Sequence, residues 1–185
     1  FHGRDNMAIE DMMTMEWGNT AVTANWLHTF NDQHYANTKF AYSNYSSDIG
    51  LDMLSTYYTM KGFVRHATLR HQQVWTPHAR HNVNYGLEGT FLQLQSAEWT
   101  IIMLNERERR NALTGALWLG DDWRINQTLE LSIGARLHTF SVLGGAPYYE
   151  LNNDGSIART IDSKSGHIVK TYANLEPRIS AKLNL

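Results

Sequence analysis

The run Leu129-Glu130-Leu131-Ser132-Ile133-Gly134-Ala135-Arg136-Leu137-His138 decides how the rest of the chain is read. Leu129, Leu131, Ile133, Ala135 and Leu137 share one parity, and Glu130, Ser132, Gly134, Arg136 and His138 share the other. A period of two puts these sets on opposite faces of a strand. On a helix they would scatter round the axis, leaving neither an apolar stripe nor a polar face. An apolar-rich run from Ala112 precedes it across the polar connection Gly120-Asp121-Asp122-Trp123-Arg124-Ile125-Asn126, so the pair reads as an antiparallel hairpin. Its strands exceed the roughly five or six residues usual in soluble sheets and approach the roughly nine to eleven that a tilted strand needs to cross a bilayer. Length and alternation together point to a transmembrane barrel.

The same pattern recurs outward from the hairpin. Val22, Ala24, Trp26 and Phe30 alternate with Thr23, Asn25 and Thr29, and Asn31-Asp32-Gln33-His34 turns the chain. From Tyr35 to about Ile49, Thr38, Phe40 and Tyr42 oppose Asn37, Lys39 and Ser43; a longer connection through Gly50 and Met60 ends near Lys61-Gly62. Between Phe63 and Trp75, Ala67, Leu69 and Trp75 oppose His66, Thr68, Arg70 and Gln72. Thr76-Pro77-His78-Ala79-Arg80 closes that strand, because proline presets a turn and cannot donate to a ladder. Val83, Tyr85, Leu87 and Phe91 then oppose Asn84, Gly86, Glu88 and Thr90, and the parity slips after Phe91, as a bulge or a departure from the membrane would make it do. The last segment, Ile168 to Leu185, sets Ala173, Leu175, Ile179, Ala181 and Leu183 against Asn174, Glu176, Arg178, Ser180 and Lys182. Phe1 to Glu16, the charged run Asn105 to Arg110 and the stretch Leu143 to Gly166 read as loops. The last of these has Asn152-Asn153-Asp154-Gly155 as a hairpin tip.

The expected fold is all-β: an antiparallel meander of about seven long strands from a transmembrane β-barrel, with short turns on one side and long loops on the other. Residues 1–185 then form part of one barrel domain. Composition agrees. A net charge of -2 leaves no electrostatic footprint for nucleic acid. The absence of cysteine excludes disulfides and thiol chemistry. No run of about 18 apolar residues offers a membrane-spanning helix. The mean hydropathy of -0.44 does not count against a barrel, whose alternate residues face a wet bore. Phe1 shows no signal peptide, so either a leader has been removed or the chain is a piece of something longer.

Putting an Arg or Lys against lipid at the bilayer midplane costs roughly 2 to 4 kcal/mol. That cost is avoided if Lys39, Arg70, Glu88, Glu130, Arg136, Glu176, Arg178 and Lys182 face the lumen or a plug. Phe40, Leu69, Leu87, Ile133 and Ile179 then face lipid. In the strand Leu113 to Leu119 the side is open, since Ala112, Ala116 and Trp118 compete with Leu113, Leu117 and Leu119. Trp26, Phe30, Tyr35, Trp75 and Trp123 lie beside the short turns, where an interfacial girdle belongs.

No metal, cofactor or catalytic set is expected. His78-Ala79-Arg80-His81 and the span His66 to His71 lack a spacing that sets two ligands side by side on one strand face. No Ser/His/Asp arrangement stands out, and Glu88, Glu130, Arg136, Glu176 and Arg178 read as salt-bridge ladders or plug contacts. Tyr148, Tyr149, Asn152 and Asp154 are the ligand-loop candidates; the tyrosine pair either stacks on a sugar or chelate or packs the loop's own hairpin. Gly86 and Gly134 read as bends or points of close approach.

Trp17-Gly18-Asn19, Leu117-Trp118-Leu119-Gly120-Asp121-Asp122-Trp123, Gly134-Ala135-Arg136 and Asn174-Leu175-Glu176-Pro177-Arg178 resemble the mid-barrel of TonB-dependent outer-membrane receptors, particularly of the Bacteroidetes type. The resemblance runs from about Trp17 to Leu185. It implies a place in a barrel of roughly 22 strands in the outer membrane of a Gram-negative bacterium. It further implies import of a scarce nutrient such as a siderophore, glycan or peptide. The implied partners are outer-membrane lipid, the plug domain of the same receptor, the TonB complex through a missing N-terminal part, and a surface lipoprotein. No plug, TonB box or terminal aromatic residue is present, so the chain reads as a fragment of such a receptor. Two other readings are a complete small outer-membrane barrel of about eight strands, and a soluble sandwich or lipocalin-like module.

Overall fold

The computed structural model describes residues 1–9, 12–53, 56–101 and 109–183. The strands are β1 (His2–Ile9), β2 (Met13–Asn31), β3 (His34–Met53), β4 (Thr56–His78), β5 (His81–Ile101), β6 (Arg109–Arg124), β7 (Leu129–Leu143), β8 (Tyr148–Leu151), β9 (Ile157–Ile161) and β10 (Ile168–Leu183). One antiparallel sheet of eight strands runs in the order β1-β2-β3-β4-β5-β6-β7-β10, and β8 and β9 form a separate hairpin. This is the all-β meander of long strands expected. No β1–β10 pairing joins the sheet's two ends among the described residues, so these strands do not close into a small barrel.

Strand lengths depart from the sequence reading. β2 to β5 span 19, 20, 23 and 21 residues. The stretch read as a connection from Gly50 to Lys61 is largely strand, paired from Asn44↔Arg65 out to Met53↔Thr56. Phe1 to Glu16, read as loop, holds all of β1 and the start of β2, paired from His2↔Thr20 to Ile9↔Met13, and this gives the sheet its eighth strand. Both segments alternate in the opposite phase: Met7, Met15, Ile49 and Met60 stand in one row and Met13, Leu51 and Tyr58 in the next, on the face that is polar in the middle of the sheet, so they do not continue the pattern by which the other strands were found. Of the charged run Asn105 to Arg110, Arg109 and Arg110 open β6; 105–108 lie outside the described residues.

At the opposite end the turns are tight, through Asp32-Gln33, Ala79-Arg80 and residues 125–128. Thr76 to His78 belong to β4, with Pro77 inside an irregularity of the ladder between Trp75 and His78, where a missing N–H does no harm. Gly120 to Arg124 belong to β6. The parity slip after Phe91 has its bulge further on: Lys61 pairs Glu98 and Phe63 pairs Gln95, so Ser96 and Ala97 stand against Gly62 alone.

Register assigns every strand residue to one of two faces. Trp26, Thr38, His71, Leu87, Leu117, Leu137 and Leu175 stand in one row from β2 to β10. Directly opposed residues of antiparallel strands project to the same side. Leu113, Leu117 and Leu119 therefore join the apolar face, and Ala112, Ala116 and Trp118 the polar one. Tyr35 also projects to the polar face, unlike Trp26, Phe30, Trp75 and Trp123.

No second layer covers the apolar face among the described residues. The buried apolar side chains among the described residues are Ala36, Ala112, Ala116 and Leu143, the two β6 alanines on the polar side, while on the apolar face Trp26 is 65% exposed, Leu175 64% and Ile179 75%. The apolar stretch is Val22 to Phe30 on β2, Val83 to Phe91 on β5, Leu129 to Leu137 on β7 and Ala173 to Leu183 on β10. Each has the roughly nine to eleven residues of a bilayer crossing.

Candidate functional site

The polar face carries its charges in the middle of the sheet. Lys39, Arg70, Glu88, Ala116, His138 and Asn174 form one row, and Gln72, Gly86, Trp118, Arg136 and Glu176 form the next. The Glu88 carboxylate lies between two guanidinia, 3.7 Å from Arg70 Nη1 and 3.5 Å from Arg136 Nη2. The same two guanidinia lie over the Trp118 ring at 4.8 and 5.6 Å. An indole face attracts cations and strips part of their water, so Trp118 holds both arginines near Glu88. Trp118 is itself positioned by Gly86, whose missing side chain leaves the space that the indole fills.

Beside this cluster a groove of about 490 Å³ runs between Arg70 and Arg178. Its floor is bare backbone where Gly120 faces Gly134, and Asn84, Asp122, Ser132 and Arg178 wall it. Ser132 donates to Asp122 at 2.6 Å, and Arg178 donates to Glu176 at 3.2 Å. The groove offers guanidinium and amide donors beside an aromatic surface, which suits carboxylates and hydroxyls of a polypeptide or a ligand. Among the described residues no three His, Asp or Glu side chains gather to hold a metal ion.

All of Lys39, Arg70, Glu88, Glu130, Arg136, Glu176, Arg178 and Lys182 project to this one face. The structure brings Arg70, Glu88 and Arg136 into contact and pairs Glu176 with Arg178. Glu130 lies between Arg124 and Lys182 in register, and Lys39 stands opposite Arg70. Sequence reasoning left Trp118 unassigned. Its side follows from β5–β6 pairing, which no local pattern encodes.

The loop candidates are held by their own turn. The Tyr148 hydroxyl donates to the Leu143 carbonyl at 2.8 Å, and its ring lies under the Arg110 guanidinium at 4.3 Å. Tyr148 thus anchors the base of the β8–β9 hairpin, and Tyr149 is half-exposed. Asn152 donates to Ser156 Oγ at 3.0 Å; Asp154 accepts from Ser156 N at 2.9 Å and from its hydroxyl at 2.6 Å. Those two bonds hold the Asp154 carboxyl below the usual carboxylate range.

One feature of the apolar face has no counterpart in the alternation. Tyr85 donates to Gln73 Oε1, which is also 2.8 Å from His34 Nε2. The amide nitrogen of Gln73 therefore points at His71 Nε2, 3.0 Å away, leaving His71 Nδ1 to donate to Thr38 at 2.8 Å. The five side chains satisfy one another, which removes most of the cost of placing them on an apolar surface. Aromatic contacts continue around them, with His28 edge-on to Phe30 at 4.5 Å, Phe30 stacked on His34 at 4.6 Å and His81 stacked on Trp123 at 5.7 Å.

No protein-family model matches the chain, and neither does any curated protein. Among solved structures it is similar to the ferric-catecholate import receptor Fiu of E. coli K12, in its open and its closed form. The TM-score is 0.56 at 15% identity in both, over 92% of this chain and 33% or 30% of the receptor. The chain thus spans about a third of the length of the receptor chains whose fold it shares.

Proposed function

We propose that this chain is a wall segment of a TonB-dependent outer-membrane receptor that takes up a nutrient in a Gram-negative bacterium. The observation that carries it is the uncovered apolar face, continuous over the strands and about one bilayer crossing deep. Water does not tolerate such a surface, since contiguous apolar patches on soluble monomers rarely exceed a few hundred Å². A soluble sandwich would lay a second sheet on that face. The similarity to an import receptor's barrel and the resemblance to TonB-dependent receptors of the Bacteroidetes type support the same reading.

In this reading the apolar face meets outer-membrane lipid and Trp26, Phe30, Trp75 and Trp123 form the girdle at the short-turn side. The polar face lines the bore, where Arg70, Glu88, Arg136 and Arg178 meet the plug domain of the same receptor. The β8–β9 hairpin stands among the outer loops that capture cargo, a siderophore, glycan or peptide. Energy comes from TonB through the plug, a surface lipoprotein is a further partner, and the segment itself catalyses no reaction.

Fractionation tests this. The full-length protein carrying the chain is expected in the outer-membrane fraction, resistant to carbonate washing and released by detergent. Recovery from the aqueous fraction without detergent would sink the reading.

A further inference from the structure

Along an antiparallel strand each residue turns its N–H and C=O to one neighbour, and the next residue turns them to the other. Ile125 donates to the Leu129 carbonyl at 3.0 Å, and Gly144 donates to the His167 carbonyl at 2.8 Å. Odd-numbered residues of β7 therefore bond β6, and even-numbered ones bond β10. In the β7–β10 register Arg136 opposes Glu176 and Gly134 opposes Arg178, so Glu176 and Arg178 bond β7. Leu175, Pro177 and Ile179 turn their backbone to the outer edge of β10, the side away from β7.

The ladder itself agrees. Pairing runs from Lys170↔Val142 to Leu183↔Leu129 without a shift, straight past Pro177. A proline nitrogen aimed at β7 would have removed one of those bonds. The missing N–H is thus a gap in the outer edge of β10. Ala173 and Leu175 precede it on the apolar face and Ile179, Ala181 and Leu183 follow, so the gap lies within that strand's apolar stretch. In hydrocarbon no water replaces the donor that a neighbour's carbonyl would lack there.

Pro77 shows how this chain accommodates the same defect. Thr76 donates to the Gln33 carbonyl at 2.7 Å, so Pro77, one residue on, faces β5. There Trp75 pairs Val83 and His78 pairs His81, leaving Thr76 and Pro77 against Asn82 alone. The last β3–β4 pair is His34↔Trp75, which leaves β4 free to take the extra residue. β10 has no such freedom, because an extra residue at Pro177 would break its unshifted pairing with β7. Any bulge opposite Pro177 therefore belongs to the neighbouring strand.

A donor stands ready on the polar face. Arg178 follows Pro177, its side chain is 71% exposed at the sheet edge, and it lines the groove of about 490 Å³. One of its N–H groups goes to Glu176 Oε2 at 3.2 Å, and a guanidinium has five.

We propose that the outer edge of β10 receives an antiparallel strand that is bulged opposite Pro177, and that the bulge turns its freed carbonyl to the polar face, where Arg178 donates to it. The bulge then closes the open end of the groove between Arg70 and Arg178. This rests on the reading that the chain is part of a barrel wall.

The test uses the full-length protein carrying this chain, purified in detergent. Its crystal structure is expected to show two residues of the adjoining strand standing against Pro177, with a carbonyl of that pair within hydrogen-bond distance of the Arg178 guanidinium. Amide exchange resolved by residue is the second readout. Amides of the bulge should exchange about tenfold faster in R178M than in the parent and regain protection in R178K, while E176Q, which keeps the guanidinium, should leave them unchanged. An adjoining strand that pairs residue for residue past Pro177, an outer edge with no strand on it, exchange unaltered in R178M, or an equal rise in E176Q would each overturn the proposal. A protein that needs detergent yet gives any of those results loses this inference alone. One recovered from water without detergent loses the receptor reading with it.

Discussion

Gly86 on β5 and Trp118 on β6 occupy one row of the sheet, and a Cβ built on Gly86 would stand 2.5 Å from Cζ2 of the indole and 2.4 Å from the His71 carbonyl oxygen. The ring lies where a side chain would be, and it carries Arg70 and Arg136 on its surface. Gly86→Ala must displace either the ring or the β4 backbone, an overpacking that costs typically about 1 to 3 kcal/mol. The denaturation midpoint of the detergent-solubilised protein should fall accordingly, together with quenching or shift of Trp118 fluorescence.

The two faces should respond oppositely to charge. If the apolar face meets lipid as proposed, Leu117→Arg puts a guanidinium into hydrocarbon and should destabilise the protein in a bilayer by roughly 2 to 4 kcal/mol. His138→Arg places the same group on the polar face, in the row of Glu88, and should stay within about 1 kcal/mol of the parent. Unfolding titrations in lipid vesicles measure both. Equal costs would mean that the faces are not lipid and bore.

Glu88 serves two guanidinia at once, so its partners should be coupled. Glu88→Gln and Arg136→Gln should each destabilise by about 1 kcal/mol, and the double variant by about 0.5 to 1 kcal/mol less than their sum. A double-mutant cycle gives the coupling directly. Strict additivity would show the contact to be incidental.

Asp154 sets a pH dependence for the hairpin tip. Its carboxyl is held below the usual range by the Ser156 hydroxyl and N–H, so the charged form is the one stabilised in the folded turn. A depressed acid contributes stability that is present above the ordinary carboxylate range and lost as pH falls through its lowered value. The protection of the Ser156 amide, its exchange rate relative to that of an unstructured peptide at the same pH, should therefore fall as the pH drops below about 4. Asp154→Asn should remove most of that pH dependence.

The alternation of Leu129 to Leu137 and of Ala173 to Leu183 was enough to identify long antiparallel strands and to sort Arg136, Glu176 and Arg178 from Ile133 and Ile179. Parity is a local property: each residue's side of the sheet follows from its immediate neighbours wherever one face is apolar. The same rule explains where reading failed. β1 and the outer parts of β3 and β4 carry their apolar residues, among them Met7, Ile49 and Met60, on the opposite side from the central apolar band, so they do not continue its period; cross-strand hydrogen bonding defines them as strands.

Contacts between strands were beyond the sequence. His34 meets Gln73 across 39 residues, His81 meets Asp121 across 40, and Arg136 meets Glu88 across 48. Register, set by the tight turns at Asp32-Gln33, Ala79-Arg80 and 125–128, brings these together, and a slip of one residue would reverse every face. The sequence by itself determined the strands of the apolar band and, apart from Leu113 to Leu119 and Tyr35, the side their residues take. Tertiary structure decided which side chains share a row, because pairing joins residues far apart in the chain. From those rows come the Trp118 seat and the hydrogen-bonded network around Gln73.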